Sequence, residues 1–232
     1  VLRLDSTGSL MQGMTYLGGS GNDGINANMA MNYGDQARGE VLVASDGIYI
    51  ASSTLSTNFP ITLAGHNGLQ DGIVAKLSPG LDNLIWSSYY GGSSADGIFG
   101  AALHEHQGQL KLFTVGATLS DSLGSSTSHQ PLRQGLGDAW VQRINATTGL
   151  LERTTYLGTT GPDLGYLIAQ NPEGAYKAVG DSSAIAIVGN TKGILTTTPG
   201  LWGQAMASQY MAWLGYDLDT LYRLQTFGSG TA

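Results

Sequence analysis

Apolar and polar residues alternate along this chain in short runs, and the runs end at clusters of Gly, Pro, Asn, Asp and Ser. GIYIASST at residues 47–54, LKLFTVGAT at 110–118 and AIAIVGNT at 184–191 are rich in β-branched residues, the composition of a half-buried strand. Between them, VAKLSPGLDNLIWSSYYGG at 74–92 reads as strand, turn, strand, with Pro79-Gly80 and Asp82-Asn83 as the break. GINANMAM at 24–31, GIFGAALHE at 97–105 and LGYLIAQN at 164–171 supply further short strands with small side chains. Helical periodicity is weak throughout.

The runs recur in a fixed order. TYLGGSGND at 15–23, SYYGGSSAD at 88–96 and TYLGTTGPD at 155–163 are copies of one phrase, and QTFGSGTA at 225–232 begins a fourth. A second anchor, VLRL, VAKL, VQRI or MAWL, stands at Val1, Val74, Val141 and Met211. Each lies 17 residues before the first glycine of its phrase, while successive copies are 73, 67 and 70 residues apart. The half from anchor to glycine is rigid and the remainder absorbs the length changes. Naming the strands A to D, with C and D in the rigid half, gives four short antiparallel strands per repeat. That is the pattern of a β-propeller blade.

These phrases resemble the bacterial SBBP repeats, a family named for a seven-bladed β-propeller. DGIVAKLSPG, LIWSSYYGGSSAD, YIASSTLSTNFP, GDAWVQRINATTG and TTYLGTTGPD carry the resemblance. It weakens in the last repeat, where Ser208 stands for the aspartate of Asp71 and Asp138, and Trp213 for the cation of Arg3, Lys76 and Arg143. The resemblance implies a propeller in a secreted or surface-exposed bacterial protein and brings no catalytic residues with it.

Strand counting gives an all-β chain of about three and a half blades. A C/D half-blade and crossing occupy 1–22, and blades occupy 23–95, 96–162 and 163–232. Both free halves of two copies would be C and D, so a homodimeric ring cannot close by mutual completion. The expectation is a segment of a longer polypeptide whose remaining blades are its partners, since seven blades of about 70 residues need roughly 490.

Composition narrows the function. Only 10 Lys+Arg against 17 Asp+Glu, a net charge of −7, argues against a nucleic-acid surface or an anionic membrane. No apolar run approaches the roughly 18 to 20 residues of a membrane span. With no cysteine, disulfide and thiolate chemistry are excluded. The 35 glycines are expected at turns and crossings, where Gly18, Gly91 and Gly158 let the chain adopt φ values other residues resist. Asp23, Asp96 and Asp163 are expected to accept backbone N–H groups of those crossings. The alternative for Ser20, Asn22 and Asp23 is Ca²⁺, which usually takes six to eight oxygens, and this loop offers one carboxylate. The cations Lys76 and Arg143 are expected in inter-strand or inter-blade ion pairs, with the aspartate at the start of strand C as one candidate partner. His104 and His106 could share a metal, but without a third ligand they read as a solvated A to B turn.

The long B to C segments, 55–70, 119–137 and 192–207, are rich in Ser, Thr, Gly and Gln and leave the blade on the same side as the crossings. Repeat proteins commonly bind through such insertions. Trp202 is the foremost binding candidate, with Phe59, His66 and His129 from the same segments. The expected function is a non-catalytic adhesion or interaction module, extracellular or on the cell surface, taking protein or glycan on the loop face. Alternatives are a propeller enzyme acting on polysaccharide through paired carboxylates and an architectural element of a surface fibre or secreted assembly.

Overall fold

A computed structural model of the chain describes residues 1–25, 38–171 and 184–228. It contains fourteen strands and no helix among these residues. β1 (Leu2–Leu4) and β2 (Met11–Met14) form a two-stranded sheet. Three four-stranded sheets follow: β3 (Gly39–Ala44), β4 (Gly47–Thr54), β5 (Asp71–Leu77) and β6 (Leu84–Tyr90); then β7 (Asp96–His106), β8 (Gln109–Thr118), β9 (Asp138–Asn145) and β10 (Leu151–Leu157); then β11 (Asp163–Gln170), β12 (Ile185–Thr191), β13 (Gln209–Leu214) and β14 (Leu221–Phe227). Each sheet is antiparallel in chain order. The fold is all-β, built of propeller-type blades preceded by a half-blade.

Most of the expected strands lie where the alternation placed them. The first A strand differs: of the run 24–31, residues 26–31 lie outside the described residues, and the strand that pairs with β4 is β3. Its signal is the short alternation GEVLVA followed by the Ser45-Asp46 turn.

Blades stack through aromatic and aliphatic side chains. Tyr49, Val74, Trp86 and Tyr90 of one blade share a buried cluster with Ile98, Leu112, Trp140, Ile144 and Tyr156 of the next. The second interface repeats this with Phe113, Val115 and Val141 against Ile185, Ile187, Tyr210 and Leu214. One indole N–H crosses the first of these joints: Trp86 Nε1 donates to the Ala146 carbonyl at 3.1 Å. Tyr16 departs from its equivalents Tyr89 and Tyr156, being exposed where they are buried, because the half-blade gives it little to pack against.

The C-strand cations form a second, directional link. Arg3 donates to the Pro79 carbonyl (2.6 Å), Lys76 to that of Ala146 (3.4 Å) and Arg143 to that of Tyr216 (3.1 Å). Every acceptor lies three residues beyond the cation position of the following blade. Lys76 also pairs with Asp46 in its own A to B turn at 2.6 Å, and Arg143 with Glu152 and Asp217 at 3.0 and 2.5 Å. Asp71 and Asp138 take no part in these pairs, so the joint loss of aspartate and cation at Ser208 and Trp213 is not the loss of one ion pair.

The long B to C segments do not simply crown the loop face. Each descends along the outer edge of strand D and bonds its backbone: Thr62 N–H to the Ser87 carbonyl, Ser125 N–H to that of Thr154 and Thr198 N–H to that of Leu224, at 3.0, 2.8 and 2.8 Å. An exposed edge strand invites pairing with other chains, and these segments cover it. The segment then returns to the crossing, where Asp96 N–H bonds the Gln70 carbonyl and Asp163 N–H that of Gly137, both at 2.7 Å.

Candidate functional site

At the loop end of each blade the crossing aspartate organises the backbone. One carboxylate oxygen accepts the N–H four residues earlier: Gly19 to Asp23 at 2.7 Å, Gly92 to Asp96 at 2.7 Å and Thr159 to Asp163 at 2.6 Å. The threonine ending strand B donates its hydroxyl to the same aspartate in two blades, Thr54 to Asp23 and Thr118 to Asp96, and Thr191 holds the equivalent position in the third. That hydroxyl oxygen in turn accepts the N–H two residues on, at Ser56, Ser120 and Gly193. The Asx-type role expected from the sequence is thus present, with a threonine partner that the repeat alignment did not single out. Its signal was the terminal Thr common to all three B strings.

The crossing glycines act by a different route from the one expected. Gly18, Gly91 and Gly158 do not have positive φ. What they provide is close approach: a Cβ on Gly91 would sit 2.8 Å from Asp96 Oδ2 and overlap Asp71 Oδ1, and one on Gly158 would run into the Asp138 carboxylate.

Two carboxylates therefore flank one glycine in two successive blades, Asp71 and Asp96 about Gly91, Asp138 and Asp163 about Gly158. All four are buried. Asp71 Oδ2 accepts the Asn67 N–H at 2.8 Å and Asp138 Oδ2 that of Gln134 at 2.9 Å, but Asp71 Oδ1 and Asp163 Oδ1 have no hydrogen-bond partner. Burial raises the pKa of each of the four above its ordinary value, and Asp71 and Asp138 add like-charge repulsion to Asp96 and Asp163. A folded state that holds its protons more tightly than the unfolded chain is favoured at low pH. This contribution is fully present below about pH 4, the unfolded value, and is lost as pH rises through the raised folded values. Asp71→Asn keeps an acceptor for the Asn67 N–H and turns one charge of the pair into an amide donor. Urea unfolding is expected to show the variant more stable than the parent at pH 7.5, with the difference vanishing towards pH 4; a constant difference across that range would refute the assignment.

No three His, Asp or Glu side chains gather at metal-binding distances among the described residues. His104 and His106 do share a face, but His104 is buried rather than solvated. Its ring packs on Phe113 and Tyr216 with centroids 6.0 and 5.7 Å apart, and His106 lies 4.4 Å from Tyr216. Only Gln107 and Gly108, both with positive φ, make the solvated turn expected for the whole group.

The binding candidates separate. Phe59 is buried with Ile73 and Tyr89 and plugs the blade. Five residues after β4 ends at Thr54, it supplies an apolar anchor under the loop rather than a displayed ring. His66 is largely covered, edge-on to Tyr89 at 5.4 Å and 3.8 Å from Asp71. His129 is exposed, and Trp202 is 70% exposed.

A recurring feature escaped the sequence reading. Leu69, Leu136 and Met206 each lie five residues before the strand C anchor, and they are 68, 74 and 72% exposed. Leu132 and Trp202, nine residues before their anchors, are exposed as well. Beside them a cleft of about 500 Å³ opens between the last two blades, lined by Gln134, Thr159, Lys192, Ile194 and Thr196. Equivalent positions in successive blades thus hold apolar side chains out to water, and their offset from the anchor was visible once length variation was set aside.

No protein-family model matches the chain, and no curated protein does.

Proposed function

We propose that this chain is a non-catalytic interaction module that takes a protein partner on the loop end of its blades. The observation that carries this reading is the exposed apolar series Leu69, Leu136 and Met206. Single exposed apolar residues are ordinary, but a contiguous or recurrent set marks an interaction surface. Leu and Met adapt to apolar protein surfaces, whereas the exposed rings on which a sugar would stack, Trp202 and Tyr16, do not recur at one position of successive blades, so the series favours protein over glycan. The resemblance to SBBP repeats supports an extracellular or cell-surface setting for such a module. An enzyme reading would need paired carboxylates open to a polysaccharide; the two Asp pairs about Gly91 and Gly158 are buried and bonded to backbone amides.

The triple variant Leu69→Ser, Leu136→Ser, Met206→Ser removes the series without touching the core. Immobilised chain presented with a panel of extracellular proteins and a glycan array is expected to retain proteins and not glycans, with retention lost in the triple variant. The variant's stability is expected to stay within about 0.5 kcal/mol of the parent. Glycan binding that survives the triple substitution would overturn the proposal.

A further inference from the structure

Lys111 and Asn145 stand opposite each other at the end of the β8–β9 ladder, where directly paired residues hold their Cβ atoms about 5 Å apart. Lys111 is 5% exposed, unusual burial for a lysine, and its ammonium is turned to Glu152 of β10. Glu152 Oε1 accepts from two nitrogens at once, Lys111 Nζ at 2.5 Å and Asn145 Nδ2 at 3.2 Å. Arg143 Nε holds the other oxygen, Oε2, at 3.0 Å, which fixes the carboxylate with Oε1 towards both nitrogens. The carboxamide oxygen of Asn145 is held too: Oδ1 accepts the N–H groups of Thr147 and Thr148 at 3.0 and 3.1 Å.

The blade does not need these three residues. Asn145 and Glu152 lie four and eleven residues past the anchor Val141, and the same offsets give Ser78 and Ile85 in the preceding blade and Gly215 and Tyr222 in the following one. Continuing the neighbouring ladders by one step puts Gly47 and Ala184 where Lys111 stands. A buried lysine, an amide and a carboxylate bonded to both therefore meet in the middle blade and not in its neighbours. A cleft of about 680 Å³ opens beside them, lined by Lys111, Glu152, Arg143, His106 and Tyr216.

We propose that Lys111 and Asn145 join in an intramolecular isopeptide bond, formed once by the chain itself with Glu152 as the catalytic proton carrier. Burial pushes the Glu152 carboxyl up, and the bonds from Lys111 and Asn145 more than offset that, so it stands as the carboxylate that the first step needs. Oε1 takes a proton from the Lys111 ammonium, and the freed amine attacks Asn145 Cγ. The Nζ–Cγ bond forms and negative charge gathers on Oδ1, where the Thr147 and Thr148 N–H groups are already in place to stabilise it. Glu152 then hands its proton to Nδ2, the Cγ–Nδ2 bond breaks and ammonia leaves through the cleft. The second proton shed by Nζ passes by the same carboxylate to the departing ammonia. The products are one amide bond and one ammonium ion, with Glu152 restored. Holding both reacting groups on one carboxylate supplies the proximity that an amine and an amide lack in solution. The bond staples β8 to β9 in a chain that has no cysteine to do so.

The test is the intact mass of the folded chain, as purified and after prolonged incubation at neutral pH. The parent is expected to fall short of its sequence mass by one ammonia, and its digest to contain a branched peptide joining the segments that hold Lys111 and Asn145. Lys111→Arg, which keeps a cation beside Glu152, and Glu152→Gln are each expected to show the full sequence mass and no branched peptide. Full sequence mass in the folded parent would overturn the proposal whatever the variants do. An ammonia loss that persists in Lys111→Arg would overturn it as well, since a succinimide at Asn67-Gly68 sheds ammonia without any lysine. A branched peptide that survives Glu152→Gln would overturn the part given to Glu152.

Discussion

Asp96→Ala is expected to cost about 3 kcal/mol or more of unfolding free energy. Its carboxylate accepts the Gly92 N–H at 2.7 Å, the Ser120 hydroxyl at 2.8 Å and the Thr118 hydroxyl, and it is fully buried. Alanine leaves those donors unpaired in a site that water does not reach readily. Hydrogen bonds to a charged acceptor contribute more than neutral ones, and orphaned buried donors carry their full desolvation cost. Thr118→Val removes one donor to the carboxylate and the acceptor of the Ser120 N–H and is expected to cost about 1 to 2 kcal/mol. Urea unfolding should show the midpoint falling in that order at unchanged m-value; an Asp96→Ala loss no greater than that of Thr118→Val would sink the account.

Trp140→Ala is expected to cost about 3 to 5 kcal/mol. Trp140 is buried at the joint between two blades, among Tyr49, Val74, Leu112 and Tyr156, and its indole donates to the Gly97 carbonyl at 2.9 Å. Truncation leaves a cavity that the hydrogen-bonded sheets on either side do not readily close, and strands the Gly97 carbonyl. Trp140→Phe retains most of the volume and isolates the hydrogen bond, expected at about 1 to 2 kcal/mol plus residual packing loss. Trp202→Ala, on the exposed loop, serves as the control and is expected within about 0.5 kcal/mol of the parent.

The blade architecture was legible because its signals are local and repeated. Alternation fixed the strands, and the constant offset from Val1, Val74, Val141 and Met211 to the crossing glycine fixed which pairs are rigid. Acceptance of backbone N–H groups by Asp23, Asp96 and Asp163 followed from spacing alone. What remained hidden depends on contacts distant in sequence. Nothing local distinguishes Gly91 used for positive φ from Gly91 used to admit Asp71, which arrives from strand C. Phe59 sits in a polar, proline-flanked stretch and looks displayed, yet Ile73 and Tyr89 wait beneath it. His104 looks like a turn residue until Tyr216 of the following blade covers its ring. Leu69, Leu136 and Met206 were missed for the opposite reason. An isolated Leu in a loop says little, and only its exposure in three successive blades separates it from a buried anchor.

The link from each C-strand cation to the following blade ends on a main-chain carbonyl, at Pro79, Ala146 and Tyr216. A carbonyl is present whichever residue is encoded there, and the three acceptors share no side-chain chemistry. A gene segment encoding one repeat could therefore be duplicated, deleted or exchanged with its neighbour, and the incoming blade would still present the group its predecessor grips. The link makes a demand on the gripping cation and none on the residue type of the acceptor. Trp213 stands at the cation position of the third full blade, so a repeat moved to follow that blade would meet no guanidinium or ammonium group there.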